Sequence, residues 1–248
     1  MSSSPEDDRR RSDLVTALGA VRHRIADVCG SVGRDPHQVT LIVVTKTYPA
    51  RDVVTLAQLG VRDVGESRDQ EAVEKLAQVD ARLRGLSEQL APLRWHFVGR
   101  VQSRKCRSIA QYASAVHSLD RAEIADRLAA AITESRRPPL EVFLQISLDG
   151  DPGRGGVVAS DALALGDAVA AHSALRLRGV MAVAPIGADP DRAFADLHEV
   201  SDRLRAAHPA AEAISAGMSG DLDAALRHGA THVRVGSALL GRRAPVIG

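Results

Sequence analysis

One lysine stands where an apolar run ends: Leu41-Ile42-Val43-Val44 is followed by Thr45-Lys46. If that run is a parallel strand, the lysine stem is buried and its amine emerges at the strand's C-terminal end, where barrel folds gather their active sites. A partly desolvated amine has a lowered pKa, and its neutral form attacks aldehydes. A lysine snorkelling to the rim is the competing reading, and position alone favours it. The end of the chain shifts that balance. Ser215-Ala216-Gly217-Met218-Ser219 and Val233-Arg234-Val235-Gly236-Ser237 are two Gly/Ser turns, each leading into a helical stretch. Together they aim backbone N–H groups and hydroxyls at one spot, which suits a phosphate. Plain N-capping by Ser219 and Ser237 is the alternative for either serine taken alone. A lysine and a phosphate cradle at one mouth are what a phosphorylated aldehyde cofactor requires.

These residues need elements to position them. From Ser12 to about Cys29 the apolar residues Leu14, Leu18, Val21, Ile25 and Val28 recur at helical spacing, and Gly30 is a stop. Residues 1–11 are Ser-rich, then mixed in charge, and read as a disordered tail without the apolar run of a signal peptide. Eight strand signals follow, near 41–44, 61–65, 94–98, 115–119, 140–148, 177–183, 213–216 and 232–235, with helical stretches between them. Ser67-Arg68-Asp69-Gln70 reads as a capping box. The segment 80–92 reads as a surface insertion, and the loop from Asp149 to Gly156 is Gly-rich. Eight strand–helix alternations predict a closed parallel (β/α)8 TIM barrel with an extra N-terminal helix, as one domain over 12–248. An open doubly wound sheet is the runner-up, but no G-x-G-x-x-G follows the first strand.

Composition narrows the function classes. The 248 residues are 45% hydrophobic but only 2% aromatic, so the core rests on Val, Leu, Ile and Ala, which fill parallel barrels well. Lys and Arg total 32 against 31 acids, which argues against a general nucleic-acid binder. No apolar stretch approaches the ~20 residues that span a bilayer. The two cysteines, Cys29 and Cys106, are far apart and imply neither a disulfide framework nor a thiolate zinc site, so a reduced, cytoplasmic protein fits. The nine histidines form no H-E-x-x-H pair, and a metal site has no support. Gly217-Met218-Ser219-Gly220-Asp221 carries Asp221 where a nucleophile elbow needs its last Gly. His96 reads as a hydrogen-bonded core residue, and the Arg100, Arg104, Lys105, Arg107 cluster as a solvated helix face.

Six segments occur together in order: Thr45-Lys46-Thr47, Gly65-Glu66-Ser67, Trp95 to Gln102, Leu177 to Ala182, Gly217-Met218-Ser219 and Val233 to Gly236. With them the sequence resembles the pyridoxal phosphate homeostasis proteins, from about residue 12 to 243. These are single barrels that bind pyridoxal 5′-phosphate (PLP) and are similar in fold to the N-terminal barrel of alanine racemase. The resemblance implies that Lys46 forms the Schiff base with PLP. It implies that Ser219, Gly236 and Ser237 contact the phosphate, and that Arg234 faces the pyridine nitrogen. Met181 is a neighbour of the ring or a core residue. Ser67 stands where the family commonly has an Asn that contacts the cofactor, and it keeps a weaker contact or only caps a helix. The family's Gln-x-Asn-Lys reads Gln102-Ser103-Arg104-Lys105 here, so no role is carried to that Asn position.

Two functions are weighed. One is a non-catalytic carrier or regulator in vitamin B6 homeostasis, a monomer that buffers PLP and related vitamers and delivers PLP to apo-enzymes. The other is a PLP-dependent racemase or related enzyme. Racemisation needs two bases on opposite faces of the ring. Lys46 supplies one, but the only tyrosines are Tyr48 and Tyr112, and the chain ends directly after the eighth β/α unit, where a racemase continues into a β-domain. The carrier is the expectation.

Overall fold

The apolar run around Val43 forms β1 (Thr40–Val44), and β2 (Asp63–Glu66), β3 (Arg94–Phe97) and β4 (Ala115–Leu119) follow it. Next come β5 (Leu140–Ser147), β6 (Val157–Val158), β7 (Leu175–Met181), β8 (Ala213–Ser215) and β9 (His232–Val235). The structure is a computed structural model and describes residues 4–84, 90–151 and 153–241. All strand pairings are parallel. Their order, β1-β2-β3-β4-β5-β7-β8-β9 and back to β1, closes an eight-stranded barrel. The two-residue β6 follows the Gly-rich loop and hangs from β5, pairing Val157 with Ile146. The closed (β/α)8 fold is thus the one the alternation predicts, with β6 as an addition.

The strands are buried on both faces because each face has its own partner. Outward residues such as Val43, Val64, Phe97 and Val116 join one large core with the helices. These are α2 (Ala50–Gln58), α3 (Asp69–Leu83), α4 (Cys106–Tyr112), α5 (Ala122–Ser135), α6 (Ala162–Ala170), α7 (Pro190–Ala207), α8 (Leu222–Arg227) and α9 (Ser237–Leu240). Inward residues Ala115, Phe143, Met181 and Ala213 form a second, smaller apolar cluster. Ile42 and Val44 of β1 also face inward, beside buried polar side chains such as Arg234, Ser215, His117 and His96.

Four local expectations are corrected. The first helix, α1 (Pro5–Ser31), starts well before Ser12, so residues 5–11 are helical and not a disordered tail. Ser4 caps it through the Asp7 N–H, Pro5 opens it, and Glu6, Asp7 and Asp8 fill the first turn, where the helix dipole favours acids. The Ser67 capping box does not form: Arg68 occupies the cap of α3, without a side-chain cap bond. The region expected as an insertion is helical up to Leu83, and residues 85–89 lie outside the described ones. The barrel strand on the Gly-rich loop's far side also begins earlier than expected, at Leu175.

Closure imposes one tight approach. Gly179 in β7 has φ +147°, and a Cβ there would stand 1.8 Å from the Ala213 carbonyl oxygen of β8. The backbone has to move to admit any side chain. Gly179→Ala is expected to destabilise the protein by more than about 2 kcal/mol, in the upper part of the usual single-mutation range. Gly19→Ala is its control: nothing lies within 4 Å of a Cβ at that exposed α1 site. Removing a helix-interior glycine there should stabilise by roughly 0.5–1 kcal/mol. Urea unfolding of the two variants checks the pair.

Candidate functional site

The C-terminal end of β1 is held by a buried charge cluster. Thr45 continues the ladder, its N–H donating to Gly65 O at 2.9 Å, and its hydroxyl donates to Glu66 at 2.6 Å. Lys75 of α3 donates to the Thr45 carbonyl and to Glu66, both at 2.6 Å, and to Glu71 at 3.1 Å. Glu71 also accepts the Thr47 N–H, which fixes Thr47 at φ +65°. Burial raises the Glu66 carboxyl above its ordinary range, and its bonds to Lys75 and Thr45 pull it back. The turn so pinned lifts Lys46 out of the barrel wall. Lys46 is exposed, not the stem-buried lysine that the apolar run predicts, and it has no hydrogen bond or ion pair among the described residues.

The two Gly/Ser turns converge beside it. Val43 pairs with Val235, which brings Gly236 against the end of β1: a Cβ there would be 3.3 Å from Val44 O. The hydroxyl of Ser237 lies 3.3 Å from that of Ser219, which also accepts the Ala238 N–H at 3.2 Å. Neither serine caps its own helix. Asp221 is the cap residue of α8, and its carboxylate takes the Met218 N–H at 2.6 Å; Gly236 precedes α9. Helix α1 braces both turns. Arg24 donates to Ser219 O at 2.9 Å and to Asp223 at 2.7 Å. Arg10 donates to Leu240 O at 3.2 Å and to Asp52 at 2.6 Å.

Arg234 is buried in the barrel interior. Its Nη1 donates to the Ser215 carbonyl at 2.8 Å and to the Ser215 hydroxyl at 2.7 Å, and its Nη2 to Ala182 O at 2.9 Å. Burial lowers its pKa to about 10, which leaves it a cation at neutral pH. Nε and one Nη2 hydrogen keep no partner among the described residues. The polar contacts continue across the barrel. Ser215 Oγ lies 2.8 Å from His117 Nδ1, His117 Nε2 lies 2.9 Å from His96 Nδ1, and His96 Nε2 lies 2.8 Å from Asp63 Oδ1. Phe143 stacks on His117 with centroids 4.3 Å apart. Burial above all, then His96 and Arg234, pushes the His117 pKa well below its ordinary value. Burial, then His96 and Arg178, lowers His232 to about 3.

The structure therefore gathers Lys46, Ser219, Gly236, Ser237 and Arg234 around the ends of β1, β8 and β9. Met181 sits in the inner apolar cluster with Phe143. Ser67 stands apart from the two serines, lining a groove of about 540 Å³ with Phe97 and Arg100. The Tyr48 hydroxyl donates to Gly241 O. Tyr112 is buried on α4, and burial pushes its phenol far above the ordinary value. Among the described residues no three metal-ligating side chains cluster, and no helix is long and apolar enough to cross a membrane. Ser215 and His117 went unread in the sequence. Their signal was strand parity: Ser215 is two residues from Ala213, and His117 two from Ala115, both of which face the interior.

Residues 17–244 match the family model described as alanine racemase, N-terminal domain. The chain is 44% identical over 242 residues to the pyridoxal phosphate homeostasis protein of Mycobacterium leprae, covering 94% of this chain and 93% of that protein. It is similar to PipY of Synechococcus elongatus in the structure with PLP bound, at 32% identity and TM-score 0.74, covering 88% of this chain and 100% of PipY. Alanine racemase of Corynebacterium glutamicum, at 17% identity and TM-score 0.61, shares the fold over 93% of this chain and 62% of the enzyme.

His117 and His232 are both held neutral in the fold, while in the unfolded chain each titrates near ~6.5. Below that pH the unfolded chain binds more protons, so stability is full above about 6.5 and falls as pH drops toward the folded values. The two histidines together should remove roughly 3 kcal/mol between about pH 6.5 and 5. Urea unfolding across about pH 8 to 5 checks it, and a flat profile to the acid end would contradict it.

Proposed function

The chain belongs to the pyridoxal phosphate homeostasis protein family, built on the alanine racemase N-terminal fold, and on that premise we propose that it binds PLP at the barrel mouth as a non-catalytic carrier or regulator in vitamin B6 homeostasis. One observation carries the reading: the Ser219 and Ser237 hydroxyls meet within 3.3 Å at a turn packed on Val44, two residues before Lys46. The donor set fits the cofactor's three functional groups. Two hydroxyls and the Ala238 N–H suit a phosphate, an exposed primary amine suits an aldehyde, and a guanidinium with spare N–H groups suits a pyridine nitrogen.

When bound, PLP supplies an aldehyde that captures primary amines reversibly. Lys46 would hold it covalently, its exposed amine being the group that a Schiff base to that aldehyde would use. Ser219, Ser237 and the Gly236 turn hold the phosphate. Arg234 donates to the ring nitrogen and cannot accept a proton from anything facing it. Ser67 would reach the cofactor only from the groove it lines with Phe97 and Arg100, and Met181 would supply apolar packing from the inner cluster. Lys75 is withheld from this chemistry by its salt bridges to Glu66 and Glu71.

The same residues explain a carrier's restraint. A neutral ring nitrogen is a weak electron sink, and neither tyrosine offers a second base, since Tyr48 is bonded to Gly241 O and Tyr112 is buried. The aldehyde is held by a reversible bond at an open mouth, from which related B6 vitamers can exchange and apo-enzymes can be supplied. Two buried, unpaired cysteines agree with a cytoplasmic setting, and the closed barrel with its helical ring stands as a monomer.

The loaded protein is expected to be yellow, with the visible band lost in Lys46→Ala. Borohydride should fix the cofactor on the peptide containing Lys46; mass spectrometry that placed it on Lys75 or Lys105 would overturn the assignment. Incubated with L-alanine in D₂O, the loaded protein should leave chirality intact. Rapid inversion would replace the carrier with the racemase reading.

A further inference from the structure

The interior of the barrel carries a polar chain that a PLP carrier does not obviously need: Arg234, Ser215, His117, His96 and Asp63, in contact from end to end. It begins under the proposed cofactor site and ends on the first residue of β2. There Asp63 lies 3.7 Å from Arg94 and lines a cavity of about 730 Å³ at the N-terminal end of the strands. Only the two ends carry a fixed hydrogen-bonding sense. Arg234 can only donate, and a carboxylate can only accept.

Those two ends determine every proton between them. Arg234 Nη1 donates to Ser215 Oγ, so the Ser215 proton is free to point at His117 Nδ1. That nitrogen must then be bare, and His117 carries its proton on Nε2, which donates to His96 Nδ1. His96 in turn carries its proton on Nε2 and donates to Asp63. Both imidazoles are neutral Nε2–H tautomers, and all four bonds run in one direction, from cation to anion. The reversed sense, with His117 Nδ1–H donating to Ser215 Oγ, would leave the Ser215 hydroxyl proton without its acceptor in a buried place.

We propose that Ser215, His117, His96 and Asp63 form a one-directional hydrogen-bond relay that fixes the guanidinium of Arg234 for the cofactor's pyridine nitrogen, so that Ser215 and the remote Asp63 are positioning residues for PLP. The proposal rests on the PLP reading for its target, but the relay itself is a property of the chain alone. The groups packed around it favour the same state. Arg94 and, through Glu141, Arg178 stand at the Asp63 end. His232 of β9, itself pushed down to about 3 by burial, lies 6.2 Å from His117. Burial of His117, then His96 and Arg234 beside it, disfavours a second proton on that ring.

The test has two readouts. In the protein without cofactor, ¹⁵N imidazole resonances at about pH 8 should report Nε2–H tautomers for both His96 and His117, with that of His117 unchanged down to about pH 5. Asp63→Asn, which can donate as well as accept at the same place, should mix the tautomers while leaving the fold intact. In PLP titrations, Asp63→Asn and Ser215→Ala should weaken binding by roughly 2- to 30-fold, the range seen for substitutions along coupled networks. Ser215→Thr, which keeps the hydroxyl, should restore both the tautomers and the affinity. An Nδ1–H tautomer of either ring at about pH 8 would overturn the relay, whatever PLP does. Correct tautomers with parent-like PLP affinity in both Asp63→Asn and Ser215→Ala would overturn the positioning role, provided Arg234→Gln weakens binding. Absence of PLP binding to the parent would strike the proposed function and leave the tautomer result standing.

Discussion

A guanidinium inside a small parallel barrel can persist only if its donors meet acceptors, because the desolvation of an unpaired charge costs several kcal/mol. Arg234 meets this demand with oxygens from two other strands' ends, the Ser215 carbonyl and hydroxyl and the Ala182 carbonyl. Those three bonds hold β7, β8 and β9 in one relation, and the parity of the strands follows from it. With Arg234 inward, Val235 packs against the helices and Gly236 emerges at the rim beside Val44. The turn that carries Ser237 therefore stands where it does because a cation two or three residues earlier is anchored below it. Around this anchor Ser215, His117 and His96 make a polar side, Ile42 of β1 pairs beside it, and the apolar cluster of Phe143, Met181, Ala115 and Ala213 is small.

The mouth has a second rigid wall. Lys75, Glu66, Glu71, Thr45 and Thr47 form a compact network around the end of β1, and Lys46 is the residue it leaves projecting. Two lysines near one another thus have opposite fates. Lys75 is buried among carboxylates, whereas Lys46 keeps an unengaged amine. The long α1 helix completes the frame, since Arg10 and Arg24 reach from it to the ends of α9 and to the Ser219 turn. Charged side chains that look like solvated surface in the sequence are here the clamps on the site.

Much of this was legible before any coordinates. The strand–helix alternation carried the closed barrel, because short continuous apolar runs suit strands covered on both faces and no antiparallel turn chemistry interrupts them. The Gly/Ser turns carried the Ser219–Ser237 pairing, since both follow adjacent strands. Local capping was harder to read. Ser67, Ser219 and Ser237 all looked like caps, but Arg68, Asp221 and Gly236 take those places, because the chain's path out of each strand sets where the helix can start. The N-terminal segment was misread for the opposite reason: its alternating charges hid a good cap at Ser4 and the tertiary role of Arg10. The environment of Lys46 also escaped, because an apolar strand says nothing about a turn imposed by Lys75 some thirty residues later. His96 read as a hydrogen-bonded core residue and is one, bonded to His117 and Asp63, whereas His117 was marked only by its strand parity with Ala115.

The account places one cofactor against three independent anchors, and a high-resolution crystal structure of the loaded, borohydride-reduced protein tests all three at once. It should show continuous density from Lys46 Nζ, the phosphate between the Ser219 and Ser237 hydroxyls, and the ring nitrogen within hydrogen-bond distance of Arg234. Density attached to another lysine, or a phosphate seated away from the two serines, would contradict it.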